Sequence, residues 1–134
     1  MNAVDPVRDF LRERGCPDFV VKNGLQGLVK SWESFVKLVK DGYEFGLDDY
    51  LNDLDNRQLL EEALAVAPPR EKEKYMQWVE RTDRRMRAIV KAAGKCLWGN
   101  EVAETEGWTE EKNWWYFSQP IQTSRKLSTE IKKV

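Results

Sequence analysis

Leu25 to Lys40 reads LQGLVKSWESFVKLVK, and this stretch decides the fold. Leu25, Leu28, Val29, Trp32, Phe35, Val36 and Val39 recur at the spacing that lines one face of an α-helix. Lys30, Glu33, Lys37 and Lys40 take the outer face, and Gly42 closes the helix. Upstream, Asp5-Pro6 is a helix start, with aspartate as cap and proline in the first turn. Val7, Phe10 and Leu11 give that short helix an apolar side, and Gly15 ends it. Between the two helices, Cys16-Pro17-Asp18 reads as a turn, and Phe19, Val20 and Val21 read as a buried loop. Tyr43, Phe45 and Leu47 alternate, but too briefly to argue a strand.

Downstream the helical period resumes. Leu47, Tyr50, Leu51 and Leu54 precede Asp55, which has the character of a fresh cap for Leu59, Leu60, Ala63 and Leu64. One long helix with an irregularity near Asp55, or two short ones, is expected before Pro68-Pro69 stops the chain. A further helix is expected from Glu71 to Ala93, with Tyr75, Trp78, Val79, Met86, Ile89, Val90 and Ala93 inside and Gly94 at its end. Thr109 with Glu110 and Glu111 then starts a short helix through Trp114, Trp115, Tyr116 and Phe117, which Pro120 terminates. Arg125, Lys126, Lys132 and Lys133 mark a polar, mildly basic end. The expectation is an all-α, single-domain bundle of about four main helices. A short aromatic-rich C-terminal helix or covering segment joins it; residues 1–120 form the domain and 121–134 a flexible tail.

A chain of 134 residues suffices for one core without metal or disulfide staples. It holds six tryptophans and no histidine. Histidine's absence removes the side chain that most often moves protons near neutral pH and a frequent zinc ligand. Cys16 and Cys96 stand far apart, outside any C-x-x-C pair, and read as two reduced thiols. Charged residues through Met1–Arg14 leave no apolar stretch of a secretory signal, and no run approaches a membrane span, so a cytoplasmic protein is expected. No phosphate-loop or dinucleotide glycine motif occurs. Asp49 and Asp53 lie one helical turn apart and could serve oxygen-ligated magnesium. As a calcium loop from Asp49, however, the register puts Leu54 and Leu60 where glycine and glutamate are needed. Neither a metal nor a cofactor is expected.

Net charge is −1, so any electrostatic attraction must come from local segregation. Asp41 to Ala67 carries eight acidic residues against Arg57 alone. Arg70 to Lys95 carries nine basic against four acidic. Packed antiparallel, these segments are expected to pair many charges internally. Trp98, Trp108, Trp114, Trp115 and Tyr116 supply large amphipathic rings, suited to closing a core or to a contact hot spot. A small non-catalytic interaction protein is therefore expected: an antitoxin, an immunity-type inhibitor or an accessory subunit. Its partner is a protein, its contact residues Trp108, Trp114, Trp115 and Tyr116 with Arg81, Arg84 and Arg85. A nucleic-acid binder using the Arg81–Lys91 face is the second reading, and a carboxylate- or metal-dependent enzyme the third. Self-association is left open, and a membrane partner is not expected.

Overall fold

The computed structural model describes residues 5–134. The first four residues of the charged N-terminal stretch read above lie outside that range. The chain is predominantly all-α, with the aromatic region laid over Trp32, Asp55 and Arg57 and a two-stranded ribbon pinning it.

Helix α1 (Pro6–Glu13) begins as its sequence dictates: the Asp5 side chain accepts from the Arg8 N–H at 3.1 Å. Val7 and Leu11 are fully buried. Helix α2 spans Asp18–Lys40 and places all seven stripe residues from Leu25 to Val39 in the core. It starts a turn and a half earlier than expected, because Phe19–Val21 is helical rather than a loop. The sequence pattern breaks there at Gly24, whose φ of 58° and ψ of −148° kink the helix. That backbone conformation is essentially confined to glycine.

Helix α3 (Leu47–Val66) runs without interruption, so Asp55 is not a cap. Its carboxylate instead accepts from the Tyr116 hydroxyl at 2.6 Å and from Trp98 Nε1–H at 3.0 Å. Helix α4 (Pro69–Arg87) ends six residues before the expected boundary at Ala93. The reason is non-local: strand β1 (Val90–Ala92) pairs antiparallel with β2 (Ser118–Pro120), matching Val90 with Pro120 and Ala92 with Ser118. Helix α5 (Asn100–Glu106) and a 3₁₀ turn (Trp114–Phe117) lie between the strands.

The polar end expected as a flexible tail contains a sixth helix, α6 (Arg125–Lys132). Ser124 caps it by accepting from the Leu127 N–H, and Leu127 and Ile131, one turn apart, are buried against the body of the fold. Glu130 accepts from the Leu47 N–H at 3.1 Å, which ties α6 to the start of α3. The central element is α2, which packs against α1, α3 and α4. Trp32, Phe35, Tyr43 and Tyr50 form a chain of tilted and edge-on ring contacts at its heart.

Candidate binding surface

The aromatic residues expected at a contact site close the core instead. Trp114, Trp115 and Tyr116 are buried. Phe117, the fourth ring of the 3₁₀ turn, is half-buried against the same core. Trp114 meets Trp32 edge-on at 6.4 Å and lies under the Arg87 guanidinium at 4.2 Å. Trp115 lies under Arg57 at 4.3 Å. Tyr116 reaches Asp55, and the half-buried Trp108 stacks on its ring at 4.0 Å with planes 14° apart. Burial, then the Asp55 hydrogen bond, holds the Tyr116 phenol well above its usual range. Trp114, Trp115 and Tyr116 are thus packed into the core, while Trp98 and Trp108 keep exposed edges.

The expected internal pairing of the two charged segments reduces to one ion pair among the described residues, Arg57 with Asp83 at 2.8 Å. It is built from the minority charge of each segment. Among the bases of Arg70–Lys95, Arg85 alone has a carboxylate within ion-pair distance, Glu33 at 3.8 Å. Arg81, Arg84 and Lys91 are exposed and have no ion-pair partner among the described residues.

Arg85 stands on the wall of a cleft of about 680 Å³ between α2 and α4. Val36, Ala88 and Ile89 give it an apolar floor, and Lys37 and Lys40 line the opposite rim. Thr82 contributes no free donor there, because its hydroxyl donates to the Trp78 carbonyl. Glu33 closes one end, fixed by Trp78 Nε1–H at 2.8 Å. At the other end a smaller hollow shares Lys40, Ala88 and Ile89 and adds Val39, Gln122 and the 55% exposed Ile121. Arg81 sits one turn before Arg85 on the same side of α4, and Arg84 flanks it. The α4 half of this surface was visible in the sequence as an arginine cluster. The α2 half, Lys37 and Lys40, shows in the sequence only as the outer face of a helix.

The Asp49–Asp53 pair does not assemble a site. Asp53 accepts from the Tyr43 hydroxyl at 2.9 Å, and burial raises its carboxyl above the usual range. No group of three or more acidic or cysteine side chains converges on a metal-sized space among the described residues. Both cysteines are free thiols, with Cys96 buried and Cys16 half-buried. No helix is long and apolar enough to cross a membrane among the described residues. No protein-family model, curated protein or solved structure matches the chain.

Proposed function

We propose that this chain is a non-catalytic interaction protein of the antitoxin, immunity or accessory-subunit kind. Its α2–α4 cleft holds an acidic, amphipathic segment of a partner protein. The observation that carries this reading is the combination of an apolar floor with a basic rim. Lys37, Lys40 and Arg85 outnumber Glu33 at the walls, and Arg81 and Arg84 extend the positive surface beyond them. An apolar helix face fits Val36, Ala88 and Ile89, while glutamates or aspartates beside it meet the rim. Arginine's forked guanidinium favours carboxylates in that role. Nucleic acid fits less well, because the apolar floor offers phosphates nothing and Glu33 faces the same cleft.

The test is an amide NMR titration with three probes: a helical peptide with an apolar stripe and glutamate flanks, the same peptide with lysine flanks, and a DNA duplex. The acidic peptide is expected to shift Ser34, Lys37, Arg85, Ala88 and Ile89. Lys37→Glu with Arg85→Glu is expected to weaken binding by about tenfold or more and to slow association. Shifts induced by DNA alone, with steep loss on adding salt, or no response to any probe at this cleft, overturn the reading.

A further inference from the structure

We propose a second, separate site: a polar hollow between the ribbon and α6 that binds a phosphoryl group, free or carried as a small phosphomonoester. The hollow measures about 260 Å³. Lys91 from β1 and Gln119 from β2 sit side by side because the strand register matches them. Ser128 and Lys132, one turn apart on α6, face them across the space, and Thr123 closes the loop side.

The donor set selects the ligand. Two ammonium groups, the Ser128 hydroxyl and a carboxamide line the hollow, and no carboxylate does. Neither lysine has an ion-pair partner among the described residues, and the acid of α6, Glu130, is engaged with the Leu47 N–H. Lys95 adds positive charge nearby, donating to the Ile131 and Val134 carbonyls at the end of α6. Thr123 Oγ1 is sealed from solvent, so this residue shapes the wall and offers the hollow no hydroxyl. Two point charges matched by neutral donors suit a dianion with several oxygens better than a single carboxylate. The site shares no lysine or arginine with the α2–α4 cleft, so either assignment can fail alone.

The experiment titrates the full chain with inorganic phosphate and, separately, phenyl phosphate at constant ionic strength, read by amide NMR and calorimetry. Saturable shifts at Lys91, Gln119, Thr123 and Ser128 are expected. Lys91→Gln with Lys132→Gln is expected to weaken binding about tenfold or more, and Ser128→Ala several-fold, with unchanged melting temperatures. Lys37→Gln, in the other cleft, is expected to leave binding intact. Response to phosphate alone assigns the site to the free ion, and response to both assigns it to a monoester. A response that never saturates, that acetate or chloride reproduces, or that survives in the double lysine variant overturns the proposal.

Discussion

Arg57 is the residue that links α3 to α4, both of which pack on α2. Its buried guanidinium holds Asp83 through Nε–H and an NH2 group at 3.1 and 2.8 Å, and Glu61 at 3.0 Å. Trp32 donates to the same Asp83 oxygen at 2.9 Å, so one carboxylate serves both an indole and a cation inside the fold. Removing it leaves the buried guanidinium with the half-exposed Glu61 as its remaining carboxylate. Asp83→Ala is expected to cost about 3–5 kcal/mol in urea unfolding. Arg57→Met with Asp83→Leu is expected to recover most of that loss, because it leaves no charge to strand. A cost for Asp83→Ala within about 0.5 kcal/mol of zero would show that the pair holds nothing together. Asp53 gives a pH prediction of opposite sense to an ordinary ion-paired acid. Burial is the main cause that raises its carboxyl pKa; Asp49 adds to this, and the Tyr43 hydrogen bond opposes it. The folded state therefore binds its proton more tightly than the unfolded chain does. This group's contribution to stability grows as pH falls from the raised value toward the ordinary 3.8 and diminishes as pH rises through that window. Asp53→Asn is expected to be favoured relative to the parent at neutral pH, with the advantage shrinking in melts toward about pH 4.

At the scale of elements, α6 is the clearest test, because a frayed end and a docked helix respond differently to truncation of a side chain. Leu127 is fully buried, and Leu127→Ala is expected to cost about 2–4 kcal/mol. The exposed Lys133→Ala is expected to stay within about 0.5 kcal/mol of the parent. Equal, negligible costs in denaturant melts would return the segment to a loose tail. This helix was illegible in the sequence because two apolar residues one turn apart in a polar stretch give no stripe. The helices that were legible announced themselves locally: α1 by Asp5-Pro6, α2 by seven apolar positions in register, and the α3–α4 break by Pro68-Pro69. The end of α4 was not, since Val90–Ala92 leaves the helix for a partner about thirty residues away. Local periodicity carries no information about such a partner. The same division runs through the binding surface. Arg81, Arg84 and Arg85 declared their exposure by charge, but Lys37 and Lys40 join them only because α2 lies beside α4.

For the whole molecule, the distribution of indoles makes a direct optical prediction. Trp32, Trp114 and Trp115 are buried, Trp78 and Trp108 half-buried, and Trp98 is 38% exposed. Emission is expected to be blue-shifted, with most of it resistant to acrylamide and much of the quenchable part removed by Trp98→Phe. Fully quenchable, red-shifted emission in the native protein would mean that the aromatic turn does not cover the bundle. The ribbon that fastens this turn is narrow. Three residues on each side, extended by Ala93 N–H to the Phe117 carbonyl and Ile121 N–H to the Ile89 carbonyl, gather a loop of roughly thirty residues to the end of α4. Opening of this lid ahead of the helices is expected to show as faster amide exchange at Val90–Ala92 than in α2. When it lifts, three large rings meet water together while α1 to α4 stay packed. Self-association on warming therefore starts from this flap, and tightening the two strands slows clumping even if the helices melt no later.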